Sequence, residues 1–183
     1  MYRSDIGYVT GCNTIAALLL LNLSSPPAAF IALANILNRP LPLSFYASDP
    51  GAKSSAYNLL LQTLSHKSAG LHGHLVSLPD HDPDAYLADI FTSLFTGQLA
   101  LDEAARLWDV YVFEGDAVLV RAGVALLAEK EMTLLGAKTI TEVKLVLDRS
   151  DGEEDEKNKQ QRIVGGQGAE DRWMRSVREA GKA

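Results

Sequence analysis

Apolar side chains recur along this chain at the spacing of helices rather than strands. Leucine, isoleucine, valine and phenylalanine stand three or four positions apart through most of residues 13–147. No clear alternating run of the kind that marks a β-strand interrupts them, and no internal repeat is visible. The pattern therefore predicts an all-α fold.

Turn and capping residues divide the first part of this pattern. A helix is predicted over 13–23, and a second begins after Ser24 and Ser25 with prolines in its first turn, where a missing N–H has little effect. Pro40 is predicted to stop the second helix. A loop rich in proline, serine and aspartate is predicted over 40–51.

A long helical segment is predicted over 52–77. Gly70 and Gly73 fall inside it, and a kink or break is expected there because glycine has a low helix propensity. Asp82 followed by Pro83 predicts the start of the next helix, which is expected to run to about residue 95.

Three more helix starts follow. Asp102 is predicted to cap a helix that ends at Gly115, and Asp116 is predicted to cap another that runs to about residue 135. The run Thr-Ile-Thr-Glu at 139–142 is a capping box, which predicts a short helix ending at about residue 147.

Composition divides the chain into three parts. Residues 1–148 carry the helical pattern, whereas residues 149–168 are acidic, then polar and glycine-rich, which is typical of a disordered linker. Residues 169–183 hold a final amphipathic helix, predicted over about 169–180. Its apolar face is expected to dock on the rest of the molecule through Trp173, Met174 and Val177.

Charge and composition exclude several classes of partner. The formal charge of −6 and the isoelectric point near 5.2 exclude the basic footprint of a nucleic-acid-binding domain and disfavour a strongly anionic membrane as the main partner. The longest apolar stretch, residues 15–21, is far shorter than the roughly 20 residues that span a bilayer. Cys12 is the single cysteine, so no intramolecular disulfide can form, which fits a reducing compartment.

Candidate metal and nucleophile sites have simpler interpretations. His72 and His74 on a helix would point about 200° apart, so they predict no shared metal site, and the aspartates beside His81 have a capping role. Cys12 lies near a helix N-terminus, which lowers a thiol pKa, but no His-Asn pattern accompanies it and a packing role is favoured. Trp108 is interpreted as a core residue.

Several segments together resemble the TBC domain family, whose members activate Rab GTPases. Residues 5–13 read Asp-Ile-Gly-Tyr-Val-Thr-Gly-Cys-Asn and are similar to the family's Tyr-x-Gln-Gly-Met-Asn segment. Residues 105–116 read Ala-Arg-Leu-Trp-Asp-Val-Tyr-Val-Phe-Glu-Gly-Asp and resemble its Arg-Ile-Trp-Asp-x-x-x-x-Glu-Gly segment. Residues 29–37 and 91–95 lie between them in the family's order, so the resemblance covers about residues 1–147.

The resemblance implies a right-handed, multi-helix Rab-GAP domain and a GTP-loaded Rab small GTPase as its partner. In this family an arginine from an upstream Ile-x-x-Asp-x-x-Arg segment offsets charge on the transferring phosphoryl group, and a glutamine from the Tyr-x-Gln-Gly segment orients the attacking water. GTP and Mg²⁺ belong to the partner, so no cofactor and no metal of the chain's own is implied. A role in vesicle trafficking is expected, in the cytoplasm or peripherally on endomembranes through the partner.

This chain departs from the family at both catalytic points. Thr10 stands where the family has glutamine, and no Ile-x-x-Asp-x-x-Arg run occurs in the sequence. A threonine hydroxyl is attached to Cβ, about two bonds closer to the backbone than a glutamine carboxamide. The arginine segment is expected to lie before Met1, which would make the domain incomplete at its N-terminus and its catalysis weak.

Three neighbours of Thr10 are expected to support the finger loop: Tyr8, Gly11 and Asn13. Two alternatives stay open beside a GTPase activator. The threonine and the missing arginine also fit a non-catalytic Rab-binding or scaffold module of the same fold. A helical interaction domain unrelated to GTPases would treat the matching segments as coincidence.

Overall fold

The computed structural model describes residues 6–148 and 168–181, and every regular element within them is an α-helix. In chain order the helices are α1 Cys12–Asn22, α2 Pro26–Leu37, α3 Pro40–Tyr46, α4 Pro50–Lys67, α5 Ala69–Ser77, α6 Pro83–Thr92, α7 Leu101–Glu114, α8 Ala117–Glu129, α9 Glu131–Leu134, α10 Ile140–Leu147 and α11 Ala169–Ala180. The all-α prediction is confirmed for this part of the chain.

Helix α8 is the central element of the core. Most of its residues from Val118 to Leu127 are buried, and it packs against α4, α7, α9 and α11. Gly123 permits the close approach of α4, because a Cβ atom at that position would lie 2.5 Å from Cδ1 of Leu60. A helix that is apolar on most of its faces must be enclosed by others, which explains the central position of α8.

An aromatic cluster joins α3, α4 and α6. The rings of Phe45 and Phe91 stack with their centroids 4.7 Å apart, and Tyr57 meets Phe45 edge-on at 5.6 Å. All three side chains are buried. Aromatic contacts of this kind stabilise the packing beyond the area that they bury.

The predicted loop over 40–51 was wrong, since α3 occupies Pro40–Tyr46. Pro40 stands at the first helical position, where its missing N–H needs no partner, so it begins a helix as well as ending the preceding one. The backbone N–H of Leu41 donates to the Asp116 carboxylate at 3.0 Å. The cap of α3 therefore comes from a residue that is remote in sequence.

The break in the predicted segment 52–77 lies at Ser68, not at Gly70 or Gly73. The Ser68 N–H closes α4 on the Leu64 carbonyl oxygen, and its hydroxyl oxygen accepts from the Leu71 N–H at 3.2 Å to begin α5. A serine can end one helix and cap the next, whereas a glycine only weakens a helix.

Two other predicted helix starts were wrong in detail. Helix α7 begins at Leu101 rather than after Asp102, and the Ala100 N–H donates to the Glu103 carboxylate at 3.1 Å. Asp116 precedes α8 but makes no side-chain cap to it. In α7, Glu103 has the capping role that was predicted for Asp102, because a carboxylate at the third helical position can reach back to the N-cap N–H.

The helix predicted to run from 117 to about 135 is divided at Lys130 into α8 and α9. The ammonium group of Lys130 donates to the Val146 carbonyl oxygen at 2.7 Å, which ties this break to α10. Helix α10 follows Thr139, whose hydroxyl oxygen accepts from the Glu142 N–H at 3.2 Å, so the predicted start of that helix is confirmed.

Helix α11 docks on α7 and α8 through the apolar face that its sequence predicts. Trp173, Met174 and Val177 are all buried against them. The predicted linker over 149–168 falls almost entirely outside the described residues. Within 6–148 and 168–181, none of the helices has the length and apolar character needed to cross a membrane.

Candidate functional site

The chain enters α1 through a tight turn that presents Thr10. Gly7 and Gly11 have φ angles of 74° and 99°, in the left-handed region that glycine enters without a steric penalty. The Cys12 N–H donates to the Val9 carbonyl oxygen at 3.2 Å and closes the turn. The side chain of Thr10 is exposed at its tip.

Gly11 fixes this turn against the end of α6. A Cβ atom at Gly11 would lie 2.8 Å from the Thr92 carbonyl oxygen and 2.9 Å from the Ser93 backbone. Those distances are shorter than van der Waals contact, and the neighbouring atoms are backbone atoms that cannot move aside. Glycine is therefore required here both by its conformation and by the space available.

The end of α6 has an unusual conformation of its own. Leu94 and Phe95 have φ angles of 47° and 68°, a region that non-glycine residues seldom occupy. The indole N–H of Trp108 donates to the Leu94 carbonyl oxygen at 2.9 Å. The side chains of Trp108 and Phe95 are both buried. Trp108 is thus a core residue, as its sequence context predicted, and it also stabilises the surface on which Gly11 packs.

A second connection between the two segments is made by hydroxyl groups. The Thr14 and Thr96 hydroxyl oxygens lie 2.6 Å apart, and each also contacts a backbone carbonyl oxygen in its own segment, that of Gly11 and of Ser93 respectively. Each hydroxyl has one hydrogen, so three contacts share two donors. The threonine pair joins residues far apart in sequence and had no recognisable sequence signal.

The predicted site residues lie together in this turn. The Tyr8 hydroxyl donates to the Asn13 side-chain oxygen at 3.2 Å, and both side chains are exposed beside Thr10. Gly11 is buried beneath them. The four predicted residues thus lie in one turn, in which Tyr8, Thr10 and Asn13 are exposed and Gly11 is buried.

Burial raises the pKa of the Cys12 thiol, while a hydrogen bond with the Val9 backbone acts in the opposite direction. A raised pKa leaves the group as a thiol at neutral pH, which opposes a nucleophilic role. His74 uses its Nε2 atom in a 2.9 Å hydrogen bond with the Ala137 carbonyl group. Among the described residues, no group of three His, Cys, Asp or Glu side chains is arranged to hold a metal ion.

A cleft lies between α4, α5 and the start of α6, and Thr10 does not line it. Its volume is 950 Å³. On its wall the Tyr57 hydroxyl donates to the Asp84 carboxylate at 2.6 Å, and Lys53 forms an ion pair with the same oxygen. These groups satisfy one another, so they act as a cross-link between α4 and α6.

A comparison with known families shows which domain family the chain belongs to. The model of the Rab-GTPase-TBC domain matches residues 1–135, which include the Thr10 turn, the end of α6 and Trp108. The chain belongs to the Rab-GTPase-TBC domain family. Helices α10 and α11 lie beyond the matched residues of this TBC chain.

Curated proteins similar to this TBC chain carry the same domain name. It is 39% identical over 134 residues to TBC1 domain family member 12 of Rattus norvegicus, covering 73% of this chain and 19% of the relative. It is 36% identical over 126 residues to TBC1 domain family member 14 of Homo sapiens, covering 69% and 18%. A TBC domain-containing protein of Schizosaccharomyces pombe is 34% identical over 120 residues, covering 66% and 25%. The chain spans about a fifth to a quarter of the length of these relatives.

Proposed function

We propose that this chain binds a GTP-loaded Rab GTPase and acts on its GTP hydrolysis as a TBC-type GTPase-activating protein in vesicle trafficking. The observation that carries the proposal is the exposed turn with Thr10 at its tip, packed through Gly11 against the end of α6 and matching the position of the family's glutamine. A turn fixed by Gly11 and by the Thr14–Thr96 contact can enter a partner's active site with little loss of conformational entropy.

Thr10 limits the catalytic part of this function. GTP hydrolysis is accelerated by positioning and electrostatic stabilisation, to which an orienting side chain and an arginine finger contribute. The Thr10 hydroxyl is held next to the backbone and extends less far than a carboxamide, so we expect it to orient the attacking water poorly. The nucleotide and Mg²⁺ would belong to the GTPase.

Single-turnover GTP hydrolysis by a panel of Rab proteins tests the proposal. We expect residues 1–183 by themselves to accelerate a Rab by less than about tenfold, because they contain no Ile-x-x-Asp-x-x-Arg run and an arginine finger contributes about 10³–10⁵ in rate. In a chain extended upstream by an Ile-x-x-Asp-x-x-Arg segment, Thr10→Gln should raise the rate by about tenfold or more, whereas Thr10→Val, which keeps the shape and removes the hydroxyl, should not. Failure of every Rab to respond to Thr10→Gln in that extended chain would refute the catalytic part.

A second candidate function is a Rab-binding scaffold without catalytic effect, which the threonine at position 10 favours. Binding to GTP-loaded and GDP-loaded Rabs separates the two functions. Preference for the GTP form, with no acceleration by the wild type or by Thr10→Gln, would indicate a scaffold. In either case the Rab would recruit the chain peripherally to its own membrane, which co-flotation with Rab-loaded vesicles measures.

A further inference from the structure

The cleft between α4, α5 and the start of α6 has no part in the function proposed for Thr10. Its lining residues all fall between Ser48 and Asp84, so one continuous stretch of chain forms it, in the middle of residues 6–148. The Thr10 turn packs on the other end of α6, at Thr92 and Ser93, about 15 Å away at the rise of a ten-residue helix. We define this recess as the α4–α6 cleft.

One wall of the α4–α6 cleft carries unpaired polar side chains. Ser54, Asn58 and Gln62 stand four residues apart on α4, so they share one face of that helix, and all three are exposed. Within the described part of the chain, the Asn58 and Gln62 carboxamides have no hydrogen-bond partner. His81 also lines the cleft, and its Nδ1 atom is buried without a partner. Hydrogen-bonding groups held in a recess and left unpaired by the fold are the components of a polar binding site.

The spacing of the two carboxamides matches the repeat of an extended peptide. Four residues of an α-helix rise about 6 Å, and two residues of an extended chain span about 6.6 Å. A carboxamide carries N–H donors and an oxygen acceptor side by side, and each peptide residue carries one N–H and one C=O group. Asn58 and Gln62 can therefore each pair with the backbone of every second residue of such a peptide.

We propose that the α4–α6 cleft binds an extended peptide segment of a partner protein, and that Asn58 and Gln62 pair with the backbone of that segment. Alternate side chains of an extended peptide point to the same side, so those on the cleft side enter the recess. Val76 lines the cleft and is 47% exposed, which offers an apolar contact to one of them. The volume of 950 Å³ lies within the range of about 300–1,000 Å³ that is usual for ligand sites.

The charges of the cleft favour a peptide over other occupants. Lys53 and Tyr57 both contact the Asp84 carboxylate, so these three groups satisfy one another. The Asp82 carboxylate accepts from the Asp84 N–H at 3.0 Å and caps α6. Among the described residues that line the cleft, none is an unpaired Lys or Arg, the groups that phosphate and nucleic acids require. A polar recess is also a poor match for a lipid surface.

Selection from a displayed library of random linear peptides, with the complete chain as target, tests the proposal. We expect peptides that bind with a dissociation constant on the order of 10 µM and shift the amide resonances of α4, α5 and α6. Asn58→Ala combined with Gln62→Ala should raise that constant about tenfold or more, because both pairing carboxamides are lost. Both side chains are exposed and alanine favours a helix, so the double variant keeps its fold. Asn22→Ala is the matched control, which removes an exposed carboxamide at the end of α1 and should change the constant by less than about twofold.

N-methylation of a selected peptide separates backbone pairing from recognition of side chains alone. In an extended peptide the N–H groups of alternate residues point to opposite sides. Methylation of the alternate nitrogens that face α4 should weaken binding about tenfold or more, because it removes their donors, whereas methylation of the other set should weaken it less than about threefold. An equal effect of the two sets overturns the proposal.

Two other results would also contradict it. One is a library that yields no peptide bound at the α4–α6 cleft, and the other is equal binding of the selected peptides to the wild type and to the double variant. Loss of Rab binding in the double variant, without any peptide binding, would assign the cleft to the GTPase instead. Because Thr10 is unchanged in these variants, failure of the Rab assays has no bearing on peptide binding.

Discussion

At the scale of single residues, the glycines of this chain differ in what they do. Gly11 has a φ angle of 99° and no room for a Cβ atom, whereas Gly73 lies inside α5 with nothing within 4 Å of the position a Cβ would take. Glycine weakens a helix by about 1 kcal/mol relative to alanine, which the burial of Leu71 and Leu75 readily offsets. The predicted break in α5 therefore did not occur.

We expect Gly11→Ala to destabilise the fold by about 2–4 kcal/mol, from left-handed strain and overpacking combined. Gly73→Ala should instead stabilise it by about 0.5–1 kcal/mol, because alanine has the better helix propensity and no neighbour is displaced. Urea denaturation of both variants measures the difference. Equal free energies of unfolding would show that the Thr10 turn is not fixed in this way.

At the scale of elements, long-range polar contacts decide where helices begin. The Asp116 carboxylate accepts from the Leu41 N–H at 3.0 Å and from the Tyr111 hydroxyl at 3.2 Å, so one residue before α8 stabilises both α3 and α7. The Arg39 guanidinium stacks on the Tyr111 ring at 4.7 Å. Burial, followed by the charge of Asp116, raises the pKa of the Tyr111 hydroxyl, which therefore stays protonated and able to donate.

Removing the Asp116 carboxylate should destabilise the fold. We expect Asp116→Ala to lower the free energy of unfolding by about 2–3 kcal/mol, because the Leu41 N–H and the Tyr111 hydroxyl are both left without their acceptor. Asp109→Ala is the control, since that side chain is 69% exposed and 3.8 Å from Arg106. Its effect should stay within about 0.5 kcal/mol in the same denaturation experiment.

The cross-link between α4 and α6 should make stability depend on pH. Burial alone would raise the pKa of Asp84, but hydrogen bonds from Lys53 and Tyr57 outweigh it and hold that pKa below its usual value. The stabilisation is thus complete above the unfolded-state pKa of about 4 and is lost as pH falls through the lower folded-state value.

Asp84→Asn tests this dependence, because an amide keeps the shape but does not titrate in that range. We expect the variant to be less stable than the wild type at pH 7 and to lose less stability on acidification, measured as urea midpoints between about pH 7 and pH 2.5. Asp109→Asn should keep the wild-type slope. If Asp84→Asn kept it too, the cross-link would have no part in acid sensitivity.

At the scale of the whole molecule, α11 completes the enclosure of the core. It lies beyond the residues that match the family, yet Val177 is 0% exposed and Trp173 is 4% exposed against α7 and α8. The opposite side of α11 carries charged residues, such as Glu170, Asp171 and Arg178. An amphipathic helix of this kind gains its stability from the surface it covers rather than from its own propensity.

We expect Val177→Asp to detach α11 and lower the free energy of unfolding by about 3–5 kcal/mol, because it places an unpaired charge in a fully buried site. Ser176→Asp, one position away on the exposed side, should change it by less than about 0.5 kcal/mol. Tryptophan emission should shift to longer wavelength in the first variant only, as Trp173 becomes exposed. A stable Val177→Asp chain with unshifted emission would contradict the docking.

The sequence by itself determined the features that depend on local patterns or on short motifs. Helical spacing predicted the all-α fold, the Thr139 capping box predicted α10, and the segment around Thr10 predicted the family and the candidate site. These signals depend on residues within a few positions of one another, where backbone geometry alone relates side chains.

What only the tertiary structure decided depends on residues distant in the chain. Three contacts join segments that no local pattern relates. Thr14 contacts Thr96, Gly11 packs against the Thr92 backbone with no room for a Cβ atom, and Asp116 caps α3. A capping aspartate looks the same in sequence whichever helix it serves, because its carboxylate accepts any N–H within reach. Packing fixed those partners, and through them it fixed the orientation in which Thr10 is presented.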